Sequence, residues 1–332
     1  MPATRQLGLF ALLALALVLT LVLALFASTL TPGIAQADRS FLTTVLVFAC
    51  FLSIMLVFAA RGVAEGLSAV AGAGPAWLLA LALFFLFLVY ALGTGTASLW
   101  RLAAMAVFLF APMFLLSLAE GATPGCWQDF LTLALIWVAV KFGPSHWLWP
   151  YPEARLAYIF TVIVAVNLVI AGFLLLRRTK NVGYGIGWDG GWFLYVFGSL
   201  ALFALIAIPL GIRIHFIAYA PRVLHEWKMF LPLSVGILFF TAWPEELLFR
   251  GLLQDLLSRA IGNDSAGWVA ASVLFGFSHI TNLHFPNWRY VLLASIAGLF
   301  YGWTWRKTGS IFASAIVHGS VDVLWHFLFR TV

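Results

Sequence analysis

Charge is what this chain has least of. Asp, Glu, Lys and Arg make up only 9% of its 332 residues and apolar residues 64%, whereas soluble domains carry about 25% charged residues. That shortage excludes an ordinary soluble fold and predicts a polytopic membrane protein. Cysteine is nearly absent too. Cys50 falls in an apolar run and Cys126 in a loop, so no disulfide framework is expected. There is no CxxC and no HExxH, hence no zinc finger and no ready zinc-hydrolase motif. No internal repeat is found, which weighs against a transporter built from related halves. The ten-residue alternating segments of a spanning β-barrel are missing as well. The net charge of +6 belongs to loops and lipid head groups, and nothing suggests nucleic acid.

What the chain does have is long apolar runs. They cover residues 7–30, 41–60, 75–97, 102–119, 129–149, 156–176, 191–212, 229–257, 267–281, 290–305 and 310–328. About 20 residues span the hydrocarbon core, so the expectation is an all-α transmembrane bundle of about eleven helices, with 267–281 short enough to be tilted or re-entrant. The first run exceeds a signal-peptide core of about 7–15 residues and reads as an anchor, although Ala35-Gln36-Ala37 resembles a cleavage site. Arg5, Arg61, Arg177, Arg178, Lys180, Arg259, Arg306 and Lys307 fall on one side of this topology, against Arg39, Arg155, Arg213, Arg222, Lys228 and Arg289 on the other. The positive-inside rule makes that side cytoplasmic, which predicts a multi-pass protein of the cytoplasmic membrane.

The chain divides near residue 180. Residues 1–178 are read as an extension of about six helices without assignable chemistry, in which Lys141 and Arg101 snorkel from run ends. The glycine-rich stretch 181–192 lacks the strand and spacing of a phosphate loop, and reads as a flexible interfacial turn with Trp188 and Trp192 at head-group depth.

In residues 179–332 the polar residues come at helical spacing. Glu245 and Glu246 lie inside an apolar run with Arg250 one turn on; Phe275 and His279, and His318 and Asp322, repeat the i, i+4 spacing that places side chains on one helix face. Each ionisable residue at mid-membrane costs about 2.5–3.5 kcal/mol on insertion scales, so such residues commonly serve function. Pro244 predicts a kink or restart beside the glutamates. A carboxylate in a poorly solvated pocket becomes a better proton acceptor, a histidine can share that task, and a second histidine can donate to an oxyanion. Together these suit amide hydrolysis. Glu246 and Arg250 read first as an ion pair that permits burial. A lone membrane histidine more often serves packing than catalysis, and it is the combination with Glu245 that points to chemistry. Ala294, Gly298 and Gly302 suggest close helix packing. His326 reads as interfacial, and His146, His215, His225 and His284 receive no role.

These residues carry a resemblance. The segments Glu245-Glu246-Leu247-Leu248-Phe249-Arg250-Gly251, Phe275-Gly276-Phe277-Ser278-His279 and His318-Gly319-Ser320-Val321-Asp322, in this order, resemble the CAAX-protease and bacteriocin-processing family of intramembrane glutamic endopeptidases. The likeness covers about residues 180–328. It implies that Glu245 and His279 activate water, that His318 and Asp322 stabilise the oxyanion, and that Glu246 and Arg250 support the site. In the prenyl-protein endopeptidase branch asparagine is frequent at the last position. Asp322 departs from that, and its expected task is to orient His318, since a carboxylate donates only when protonated. The resemblance implies a metal-free mechanism without cofactor; the alternative is zinc held by Glu245, His279 and His318. The implied partners are membrane lipids and a membrane-anchored or lipidated protein or peptide substrate. The competing readings are a non-catalytic immunity or scaffold protein of the same family, or a proton-coupled transporter.

Overall fold

The structure is a computed structural model that describes residues 15–20, 38–60, 62–152 and 156–332, with backbone alone at 223–225. Most of the first apolar run and Ala35-Gln36-Ala37 lie outside the described residues, as do Arg5 and Arg61. The side chain of His225 does too. The chain forms two compact units, Met1–Lys180 and Asn181–Val332.

The first unit is helical: α1 (Arg39–Phe58), α2 (Val63–Ala71), α3 (Gly74–Gly93), α4 (Leu99–Ser117), α5 (Trp127–Phe142), α6 (Ser145–Leu148) and α7 (Ala157–Val169), with α7 widening into π-type turns over Ile170–Leu176. The α7 span is the central one, with 83% of its most apolar window buried. Trp149 anchors the core among Phe87, Tyr90 and Phe160 at centroid distances of 5.0, 4.9 and 5.1 Å. Two cations are used differently from the expectation. Arg101 does not simply snorkel; it donates to the carbonyls of Trp147 (2.7 Å) and Thr96 (2.6 Å). Arg177 is more than a flanking charge, because it grips buried Asp129 through two bonds of 2.8 and 3.0 Å. The Cys126 thiol donates to the same carboxylate at 3.4 Å. Both cysteines are free.

The second unit comprises α8 (Phe193–Arg213), β1 (Ile217–Tyr219), α9 (Val223–Ile237), α10 (Trp243–Glu246), α11 (Asp255–Ile261), α12 (Asp264–Phe277), α13 (Trp288–Thr308), α14 (Ile311–Leu328) and β2 (Phe329–Thr331). The two strands form a small antiparallel pair, Ile217 opposite Thr331 and Tyr219 opposite Phe329.

The stretch that begins this unit is pinned at its start, unlike the free turn expected of it. Trp305 Nε1 donates to the Val182 carbonyl at 3.2 Å, Ile311 N to the Gly183 carbonyl at 3.2 Å, and Tyr184 stacks on Trp243 at 5.1 Å. Gly183 permits this because its φ is +75° and a Cβ there would strike the Gly309 carbonyl oxygen. Trp188 remains exposed.

The helix does not break at Pro244. Past a kink at Glu226 it stays helical through α11, passing through π-type turns at Leu238–Ala242 and Leu247–Gln254 on either side of the proline. A proline lacks the N–H of the i→i−4 bond and its ring crowds the carbonyl four residues back. One wider turn relieves both problems without ending the helix. The two glutamates therefore sit on an unbroken segment bracketed by wide turns.

Helices α12 and α13 meet through small residues. A Cβ on Gly298 would lie 3.0 Å from Ser272 Cα, and one on Gly276 would lie 2.5 Å from the Val291 carbonyl oxygen. The close approach also bares backbone acceptors: Arg250 donates to the Gly298 carbonyl (3.3 Å) and Gln254 to that of Gly302 (3.4 Å). The four-residue repeat of small residues thus packs α13 and supplies acceptors for buried side chains of the neighbouring helix. Gly276→Ala is expected to lower stability by about 1–3 kcal/mol through overpacking, read as a lower unfolding midpoint in detergent. An unchanged midpoint would mean that the two helices can part at no cost.

Candidate active site

The site is built around His318. Ser314, His318 and Asp322 follow one another at four-residue spacing on α14 and so share a face. Ser310 starts that helix by accepting from Ala313 N at 3.3 Å. Opposite stands the segment carrying Glu245 and Glu246. His318 Nδ1 lies 2.9 Å from Glu246 Oε1, and its Nε2 lies 3.5 Å from Asp322 Oδ2 and 3.9 Å from Glu245 Oε2. One imidazole thus meets three carboxylates.

Glu246 is fully buried and satisfied on all sides. Its Oε2 accepts from Ser314 Oγ at 2.5 Å and pairs with Arg250 Nε at 3.2 Å. Ser314 Oγ is also 2.8 Å from the Tyr301 carbonyl. Arg250, 1% exposed, holds its guanidinium over the Phe275 ring at 4.3 Å, a placement favoured by the ring quadrupole. The ion pair expected at this spacing is therefore present, and it does more than permit burial. Since a carboxylate accepts, Nδ1 of His318 carries the proton of that bond. Glu246 therefore holds the Nδ1 side of the ring, and Asp322, expected to orient His318, stands at its Nε2 side. The reason is reach: Glu246 arrives on another helix, in line with Nδ1, while Asp322 comes along the same helix face to Nε2.

His279 lies just past the end of α12, whose C-cap is Ser278. Its Nδ1 is 2.8 Å from the Phe275 carbonyl and 3.0 Å from Ser278 Oγ. A carbonyl only accepts, so Nδ1 bears the hydrogen and Nε2 is the basic nitrogen of the neutral ring. Phe275 links the two histidines, with its ring centroid 4.8 Å from His279 and 5.6 Å from His318. A cavity of about 90 Å³ is lined by Phe275, His279, Tyr290, Tyr301, His318 and Asp322 among others. By the same kind of measure one water needs about 10–15 Å³, so several waters or a small apolar group fit. Glu245 is outside that lining, 28% exposed, and meets it through His318.

Sequence reading missed Ser314, Tyr301 and Tyr290. Ser314 had a signal, since it precedes His318 by one turn. Tyr301 stacks on His318 at 4.6 Å and Tyr290 lies 4.8 Å from His279; both sit in an apolar run with no local sign of that contact. His326 pairs with Glu226 at 3.3 Å near the end of α14. His146, His215 and His284 do not line the cavity.

Among the described residues no group of three or more His, Cys, Asp or Glu is arranged to hold a metal ion.

Seven helices among the described residues are long and apolar enough to cross a membrane, and the fold is an all-α bundle with one two-stranded pair. The protein is a multi-pass membrane protein with ionisable groups clustered inside one bundle. Residues 226–324 match the family model described as type II CAAX prenyl endopeptidase Rce1-like, a peptidase family. The match covers under a third of the chain, in its C-terminal half, and includes Glu245, Glu246, Arg250, His279, His318 and Asp322. No curated protein and no solved structure matches the chain.

Proposed function

We propose that the second unit is an intramembrane endopeptidase that hydrolyses a peptide bond of a membrane-anchored or lipidated protein or peptide. The observation that carries the reading is the His318 ring set among Glu245, Glu246 and Asp322, inside the segment similar to the endopeptidase family. Water is the nucleophile. Its oxygen forms the bond to the carbonyl carbon, its proton passes to Glu245 with His279 Nε2 as the neighbouring base, and the carbonyl π pair moves to oxygen. His318, which donates from both nitrogens only as the imidazolium, offers Nε2–H to that oxyanion while Glu246 holds Nδ1–H. Collapse breaks the C–N bond, and the stored proton goes to the leaving amine. Asp322, 3.5 Å away, balances the charge at Nε2. No metal or cofactor is needed for these steps. The cytoplasmic membrane is the proposed location, and membrane lipids and the substrate are the proposed partners.

The test is cleavage by purified full-length protein in lipid nanodiscs. The probes are a farnesylated peptide ending in cysteine, two aliphatic residues and any residue, and the same peptide without the lipid. Release of the C-terminal tripeptide, read by mass spectrometry, is expected from the farnesylated probe. Cleavage of both alike would leave endopeptidase activity and remove lipid selectivity. No cleavage of either would favour the non-catalytic scaffold reading.

A further inference from the structure

Oxyanion stabilisation is the weak point of the site as read so far. Asp322 stands where a side-chain amide would supply a donor, and an ionised carboxylate has none. His318 then remains as the single side-chain donor, with three carboxylates drawing on its two protons. Hydrolysis through a tetrahedral intermediate commonly relies on more than one donor aimed at the developing charge.

Tyr290 meets that need. It belongs to the first turn of α13, where Asn287 caps the helix by accepting from Tyr290 N at 3.1 Å. This fixes the start of the helix and the direction in which the side chain leaves it. The ring lies 4.8 Å from His279 and 5.3 Å from Trp325, and it lines the same cavity as His279, His318 and Asp322. Asn282, Asp322 and Glu245 lie close enough to act on its hydroxyl. A phenol oxygen can accept from a neighbour while its own proton is donated elsewhere. Of the other aromatic residues at the cavity, the phenylalanines have no donor, Tyr301 lies with its ring flat on His318 at 4.6 Å, and Trp325 packs against Tyr290 at 5.3 Å.

We infer that the Tyr290 hydroxyl is a catalytic hydrogen-bond donor to the oxyanion, supplying the donor that Asp322 lacks. The inference rests on the endopeptidase reading above. No covalent change occurs at Tyr290: its O–H donates while charge sits on the substrate oxygen and is released when the C–N bond breaks.

The experiment uses the full chain in nanodiscs with the farnesylated peptide and compares wild type, Glu245→Gln, Tyr290→Phe and Tyr290→Phe with Asp322→Asn. For Tyr290→Phe, kcat is expected to fall about 10²–10³-fold, the range for one oxyanion donor, with KM unchanged because the bond forms only in the transition state. Adding Asp322→Asn returns an amide donor and is expected to recover part of that loss. If wild type cleaves, Glu245→Gln does not, and Tyr290→Phe cleaves at the wild-type kcat, the endopeptidase reading stands and the role of Tyr290 is overturned. If wild type itself does not cleave, both fall. Should Tyr290→Phe fail to fold, replacing Tyr290 with a ring-fluorinated tyrosine keeps the shape and changes only the acidity of the hydroxyl. A kcat that follows that acidity supports donation, and a kcat indifferent to it overturns it.

Discussion

Glu245→Gln is expected to abolish detectable cleavage of the farnesylated probe while the protein still purifies and unfolds at the wild-type temperature. The swap preserves volume and one carbonyl oxygen, so packing against His318 Nε2, 3.9 Å away, changes little. What disappears is the proton acceptor. General-base catalysis is worth about 10²–10⁴-fold, and the loss is expected at the upper end or beyond. His279 remains, but the carboxylate that takes the water's proton in the proposed step is gone. Unlike Glu246, Glu245 is partly exposed, which is why its removal leaves stability largely intact. An undiminished rate in Glu245→Gln would remove the mechanism, whatever the fate of the substrate assignment.

Arg250→Ala is expected to fail earlier, at folding. The pair it forms with Glu246 is 1% and 0% exposed at its two ends, and breaking a buried pair by removing one partner costs about 3–5 kcal/mol because the other charge is stranded. The loss also uncovers the Phe275 face and the Gly298 carbonyl that Arg250 occupies. Low yield and a lowered unfolding midpoint are the readouts. The double variant Glu246→Gln with Arg250→Met separates folding from function. Exchanging both charges for neutral groups of similar volume is often tolerated, so yield should recover. Activity should not, because His318 loses the carboxylate that holds its Nδ1 proton. Normal folding and full activity of Arg250→Ala would show that Glu246 has no need of its partner and would overturn the described electrostatics.

The helices were legible from the sequence because only helices and closed barrels satisfy backbone groups in lipid, and the alternating segments of a barrel are missing. Ten apolar runs correspond to helices in the described residues, and runs such as 75–97 and 310–328 match α3 and α14 closely. The Glu246–Arg250 pair and the shared face of His318 and Asp322 were legible for the same reason: both follow from the 3.6-residue period within one helix. Continuity through Pro244 was not, since the π-type turns that absorb the proline depend on packing around it and have no sequence period of their own. Nor was the Asp129–Arg177 clamp of the first unit, whose partners are 48 residues apart and lie in different helices.

Composition and periodicity alone therefore determined that this protein crosses a membrane as helices, where its ionisable residues fall, and which of them share a helix face. Tertiary structure alone decided that Glu246 rather than Asp322 takes Nδ1 of His318, that Phe275 bridges the two histidines, and that Tyr290 reaches the cavity. The physical reason is range. Helical spacing relates residues within about two turns of one segment, whereas a hydrogen bond or ring contact between helices is set by crossing geometry. Here small residues such as Gly276 and Gly298 allow the helices to approach, and no local pattern encodes what they bring together.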